Sequence, residues 1–224
     1  MTTTALILAA GQGTRMRSRL AKVLHPLAGQ AMLHWVLDAV TGAGCTPVVV
    51  IGHQRDQVAA SLPPGTVTAV QDPQEGTGHA VAMAAEQLPR EGILLVVCGD
   101  TPLLRAETLQ TLLQGHGKGL CTVLTASIPA AEAAQSSYGR LVRNADGVPQ
   151  RVVEAADASA EEREITEFNT GVYAFDARWL LDEVVPQLVP HPPSGERYLT
   201  DAVEAAARAG GLQAVHHNDR TETM

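Results

Sequence analysis

Along this chain, short unbroken apolar runs alternate with stretches of helical apolar spacing. Residues 5–10 read as a strand buried on both faces, 32–40 as a helix ending near Gly42 and Gly44, and 47–51 as a second buried strand. The alternation continues with a short helix over 54–62 stopped by Pro63-Pro64-Gly65, and a strand over 67–70. A helix over 79–88 follows, stopped by Pro89, with Thr77 able to cap it. A strand over 93–98 ends at Gly99-Asp100, and a helix over 107–114 breaks at Gly115, Gly117 and Gly119. Continuous apolar strands separated by helices predict an α/β fold: a mostly parallel, Rossmann-like mixed sheet with helices on both faces.

The second half is less regular. It predicts strands over 120–127, 139–143, 151–155, 172–175 and 212–216, with helices over 177–185 and 198–208 and an Ala/Glu-rich interruption over 155–165. No repeat and no linker divides the chain. The expected organisation is one domain over 1–224, with a nucleotide half over about 1–115 and a sugar half over about 116–224 laid on one sheet.

The composition narrows the classes. With 45% apolar residues but only 3% aromatics, Ala, Val and Leu must build the core. The net charge of -8 argues against nucleic acid. No apolar run approaches the ~20 residues of a membrane span, and there is no signal peptide. Three scattered cysteines form no metal or disulfide pattern and fit a reducing cytoplasm.

Against that acidic background the first strand runs into Gly11-Gln12-Gly13-Thr14-Arg15-Met16, then Lys22, and no acid appears before Asp38. Glycines let backbone N–H groups face a phosphate, and Arg15, Arg17, Arg19 and Lys22 make a local cationic pole suited to a small anion. Only two of the 16 basic residues are lysines, so Lys22 reads as a point charge on a flexible stem, chosen against the composition. A phosphate-handling P-loop is excluded by the missing G-x-x-x-x-G-K-[ST] pattern, and a dinucleotide fold by Met16 where a third glycine belongs. In an open parallel sheet, ligands sit beyond the carboxyl ends of the strands, where both Gly11–Gly13 and Asp100 fall.

The segment Leu8-Ala9-Ala10-Gly11-x-Gly13-Thr14-Arg15-Met16, followed by Lys22-Val23-Leu24, resembles the signature of nucleotidylyltransferases that charge sugar phosphates. The match extends in order through Gln71, Gly76-Thr77-Gly78-His79, Gly99-Asp100-x-Pro102-Leu103, Tyr138-Gly139-Arg140, Val153-Glu154, Asn169-Thr170-Gly171 and Gly195-Glu196-x-Tyr198. It is most similar to the uridylyltransferase half of the bifunctional GlmU family. The resemblance implies a nucleotide-diphospho-sugar transferase fold and attack by N-acetylglucosamine-1-phosphate on UTP. The products would be UDP-N-acetylglucosamine, a cell-wall precursor, and pyrophosphate.

That resemblance implies roles. Arg15 would neutralise the triphosphate, Lys22 would hold it, and Asp100 would bind Mg2+. Leu8, Ala9, Ala10, Gly11, Gly13, Thr14, Cys98 and Gly99 would line the nucleotide side, with Gln71, Gly76 and Thr77 reading the base. Gly139, Glu154, Asn169, Glu196 and Tyr198 would contact the sugar. Each has a plainer alternative: a surface ion pair for Arg15, a helix cap for Asp100 and Thr77, an exposed strand end for Gln71. His79 reads as structural and His216-His217 as surface.

The chain departs from the family at Ala21, where proline is usual before the lysine, at Cys98, where tyrosine is common, and at Glu75, an added negative charge near the base. It closes at Glu222-Thr223-Met224, ahead of the segment that carries a second metal ligand in the family. The acetyltransferase half, a left-handed β-helix in the family, is expected to be missing. The expectation is therefore a weakened transferase, monomeric where the longer parent would be a homotrimer. Two other readings stay open: a transferase using CTP, GTP or dTTP, and a non-catalytic sugar-nucleotide binding module.

Overall fold

The computed structural model describes residues 3–13 and 16–223. The amino-terminal half gives strands β1 (Thr3–Ala9), β2 (Pro26–Leu27), β3 (Gln30–Ala31), β4 (Thr46–Ile51), β5 (Val67–Val70) and β6 (Ile93–Cys98). Between them lie helices α1 (Met32–Gly42), α2 (Arg55–Ser61), α3 (Thr77–Ala84) and α4 (Ala106–His116). The remainder gives β7 (Cys121–Ser127), α5 (Ala130–Ala133), β8 (Arg140–Arg143), β9 (Pro149–Val153), α6 (Ala160–Arg163), β10 (Glu167–Asp176), α7 (Thr200–Arg208) and β11 (Leu212–His216).

Nine of these strands build one sheet with the path β11-β7-β10-β6-β1-β4-β5, β8 and β9 extending from β10, while β2 and β3 pair apart from it. Strands β5, β4, β1 and β6 are parallel, and β10 runs against both β6 and β7. The sheet is thus the mixed, mostly parallel one the pattern predicts. Alternation along the strands sends Leu6, Val48, Val50, Leu94 and Val96 into one core and Ile7, Val49, Leu95 and Val97 into the other. α3 and α7 cover the first face; α1, α2 and α4 cover the second. Each such buried aliphatic side chain contributes about 1.5–3 kcal/mol, so both layers are strongly held.

Several boundaries differ from expectation for physical reasons. β10 is ten residues long, against the predicted 172–175, because its first half alternates polar and apolar residues and bulges between Asn169 and Tyr173. The hairpin β2–β3 was not foreseen; its turn starts with Ala28 at φ 51°, where Asn or Asp is usual. The helix expected over 177–185 is a π-helical segment, Trp179–Val184. Thr77 is not the cap of α3: Gly76 stands there, and the Thr77 hydroxyl accepts instead from the Leu199 amide at 3.0 Å.

Ala21 is buried and adopts φ −54° and ψ 139°, close to the φ that proline fixes, just before a 3-10 turn over Lys22–Leu24. Burial of Ala21 and Val23 thus sets the approach to Lys22 without the ring. Ala21→Pro is expected to stabilise the fold by about 0.4–1 kcal/mol through the unfolded chain, raising Tm by a few degrees. A fall in Tm on calorimetry would show that this site does not tolerate the ring.

Candidate active site

The chain builds β1, β4 and β5 to one side and then crosses to place β6 on the other, so the switch point lies between β1 and β6. Two cavities open there, of about 620 and 340 Å3, sharing Leu8, Gly11 and Gly13 as a common wall. The larger is also lined by Gln71, Gly76, Thr77, Cys98, Glu154, Glu196 and Tyr198. The smaller is lined by Ala9, Lys22 and Asp100 as well. Thr14 and Arg15 lie outside the described residues.

In the smaller cavity Lys22 pairs directly with Asp100, both side chains partly exposed. Asp100 is not a helix cap; α4 starts further on, after Arg105. Lys22, without an acid in its local sequence, thus finds one across the sheet. Gly13 sits at φ 58°, and a β-carbon there would lie 2.7 Å from the Lys22 β-carbon. The turn and the lysine stem therefore fit only with glycine. Arg17 and Arg19 are exposed and form no ion pair among the described residues.

In the larger cavity Gln71 is buried, not an exposed strand end. Its Nε2 donates to the Gly76 carbonyl at 2.9 Å, which leaves Oε1 with no protein donor among the described residues. Gln74 donates back to the Gln71 carbonyl at 2.9 Å. Burial, with the Asp100 carboxylate adding and Lys22 opposing, pushes the Cys98 thiol up to about 12, so it stays neutral. The Glu75 charge is not loose beside the cavity: Arg197 Nη1 donates to its carboxylate at 2.9 Å.

Glu154 accepts from the Thr200 hydroxyl at 3.1 Å, while Tyr198 packs its ring against His191 at 4.7 Å. Four expected contacts do not line either cavity. Ala10 accepts from the His53 amide at 3.1 Å, and Gly99 donates to the Leu8 carbonyl at 2.9 Å, so both serve the strand ends. Asn169 commits its amide to the Tyr173 hydroxyl (2.6 Å) and the Gly171 amide (3.1 Å). Gly139 lies against Val152 and Val153 behind Glu154. Beside it Arg140 is fully buried and donates to the carbonyls of Ala133, Ser136 and Tyr138, fixing the turn that leads into Gly139.

Gln12, Gln74 and Ala80 also line the larger cavity and were not singled out by sequence. Gln12 was within reach, lying inside the glycine turn; Gln74 needed the geometry of the segment after β5. His217 is half-buried rather than on the surface, its Nε2 3.3 Å from the buried Glu222 carboxylate.

A glycine turn and a Lys–Asp pair thus sit at the switch point of a mostly parallel α/β sheet. Residues 5–222 match the MobA-like NTP transferase domain, and the chain belongs to that family. It is similar to the bifunctional protein GlmU of Exiguobacterium sibiricum, 48% identical over 95% of this chain and 47% of that protein. It is likewise similar to GlmU of Geobacillus thermodenitrificans (44% identical, 95% of this chain, 46% of that one) and of Thermobifida fusca (45%, 97% and 46%). The chain therefore spans about half the length of the curated relatives it matches. Among the described residues no helix is long and apolar enough to cross a membrane.

Two outcomes test this geometry. Gly13→Ala forces a strain of about 1–3 kcal/mol into the turn and is expected to weaken nucleoside triphosphate binding roughly tenfold by calorimetry; unchanged affinity would remove the turn from the site. The Glu154 carboxyl is raised, first by burial, with Asp157, Asp201 and Glu196 adding and the Thr200 hydrogen bond opposing. The folded state thus holds this proton more tightly than the unfolded chain, so stability is fully present below the ordinary carboxyl range and is lost as pH rises through the raised value. Glu154→Gln should flatten the decline in Tm from about pH 4.5 upward, and an unaltered pH slope would count against the burial.

Proposed function

We propose that this chain is one nucleotidylyltransferase domain, its first half holding UTP and its second half N-acetylglucosamine-1-phosphate. It transfers UMP between them to give UDP-N-acetylglucosamine and pyrophosphate. The observation that carries the reading is the pair of cavities joined at Gly11 and Gly13, with Lys22 and Asp100 on one side and Gln71, Glu154, Glu196 and Tyr198 on the other. A charged phosphate end and a hydrogen-bonding base-and-sugar end meet at one wall.

The chemistry follows from that split. A phosphate oxygen of the sugar phosphate bonds to the α-phosphorus of UTP while the bond to the β-phosphate bridging oxygen breaks and pyrophosphate leaves. Such a transfer needs positioning and charge neutralisation rather than a protein nucleophile. The Gly11–Gly13 turn brings backbone close to the phosphates, and Lys22 offsets their charge as they approach. Arg15 is proposed to act beside it. Gln71 Oε1, left without a protein donor, is proposed to accept from the N3–H of uracil, whereas cytosine presents an acceptor at N3. Glu154, Glu196 and Tyr198 are proposed to hold the sugar hydroxyls and acetamide through paired hydrogen bonds.

The Asp100 carboxylate fits Mg2+. It is a hard oxygen donor on the cavity wall, and among the described residues no cluster of three or more His, Cys, Asp or Glu could hold a metal by protein alone. Magnesium commonly takes one or two carboxylates and completes its shell with water and phosphate, and when bound it would supply charge neutralisation of the phosphates.

The test is pyrophosphate release from UTP and N-acetylglucosamine-1-phosphate with Mg2+, for the wild type and Asp100→Ala. Release by the wild type and its loss by about a hundredfold in the variant are expected if the carboxylate serves the transition state. Release that survives Asp100→Ala would remove that residue from the mechanism. Absence of release, with CTP, GTP or dTTP active instead, would transfer the assignment to another nucleotide.

A further inference from the structure

The base-reading turn and the sugar-side segment are far apart in sequence but zipped together in space. Arg197 N–H donates to the Glu75 carbonyl at 2.8 Å, and Gly78 N–H donates to the Arg197 carbonyl at 2.8 Å. The Leu199 amide donates to the Thr77 hydroxyl at 3.0 Å. The side chains repeat the connection, since Arg197 reaches the Glu75 carboxylate at 2.9 Å. Contact is close enough that a β-carbon on Gly76, which sits at φ 96°, would lie 2.6 Å from the Arg197 carbonyl oxygen.

This zipper bears on Gln71. The carbonyl that receives the Gln71 amide N–H belongs to Gly76, inside the clamped turn. A carbonyl can only accept, so its position decides which end of the Gln71 amide points at it and which is left for the cavity. A turn that drifts away releases the amide to rotate and present a donor instead of an acceptor. Glu75 lies 4.0 Å from His79 Nδ1, and His79 Nδ1 lies 3.5 Å from Gln71 Nε2, so the same carboxylate also stands behind the nitrogen end of the amide.

We infer that Arg197, through its ion pair with Glu75, is a specificity-determining positioning residue. From the sugar-side segment it holds the Gly76 carbonyl where it locks the Gln71 amide, and thereby sets the preference for a base with an N–H at N3. The inference rests on the uridine reading above and deepens it. It also gives the two walls a mechanical connection, because Glu196 and Tyr198, which line the same cavity, flank Arg197 directly. Neither Glu75 nor Arg197 lines the cavity, so their effect passes through Gln71.

The experiment measures Kd for UTP and for CTP by calorimetry on the full chain in four proteins: wild type, Arg197→Ala, Glu75→Ala, and the double variant Glu75→Arg with Arg197→Glu. Selectivity, the ratio of the two constants, is the readout, because a residue that only stabilised the fold would lower both affinities together. The ratio is expected to fall roughly fivefold or more in each single variant and to recover in the charge-swapped double variant, the signature of a direct pair. A preference for UTP that persists in Arg197→Ala and Glu75→Ala overturns this inference alone. A wild type with no preference for UTP over CTP overturns both it and the uridine reading. Should a single variant fail to fold, the charge-swapped protein carries the test: recovered selectivity supports the pair, and lost selectivity in a folded double variant overturns it.

Discussion

Strands β1 and β6 lie side by side and parallel, with Leu8 opposite Cys98 and the Gly99 amide donating to the Leu8 carbonyl at 2.9 Å. The site depends on this pairing. It brings the glycine turn after β1 beside Asp100 at the end of β6, and so lets Lys22 meet a carboxylate that its own stretch of sequence lacks. The pairing is itself held by two buried layers, because alternate side chains of both strands enter opposite cores. A slip of one residue would exchange the two sets of side chains and break both packings at once.

The parts of this arrangement that were legible in sequence share a property: their partners are implied by local pattern. β1, β4 and β6 fell close to where continuous apolar runs put them, since strands buried on both faces need no knowledge of their neighbours. The Gly11–Gly13 turn and Asp100 were legible because each closes such a run. The first half of β10 was not. Its residues Glu167, Asn169 and Gly171 look like loop until β7 and β8 are known to lie on either side. The hairpin Pro26–Leu27 with Gln30–Ala31 was hidden by an alanine where a turn-forming side chain is usual.

Within the site, types of residue were easier to read than their commitments. Asn169 carries the right functional group for a sugar contact, yet both ends of its amide are used by Tyr173 and Gly171. Glu75 looked like an uncompensated charge because its partner, Arg197, stands far along the chain in a segment whose neighbours drew attention instead. In each case the missing information was a side-chain hydrogen bond, to residues two and four positions away for Asn169 and far along the chain for Glu75. Such bonds are made by groups whose local sequence carries no periodicity, which is why patterning cannot supply them.

Charge adds a last constraint. A protein of net charge -8 repels anions at long range, and both proposed substrates are anionic. At physiological ionic strength that repulsion is screened over about 8 Å, so what an approaching phosphate feels is the charge at the mouth of the site. Lys22 stands there, shared with Asp100. On the other wall Glu154 holds its proton more tightly, first through burial, with Asp157, Asp201 and Glu196 adding. For the proposed reaction, the phosphates are expected at the Lys22 and glycine-turn end of the paired cavities, and the uncharged part of the sugar beside the buried Glu154 carboxyl at the other.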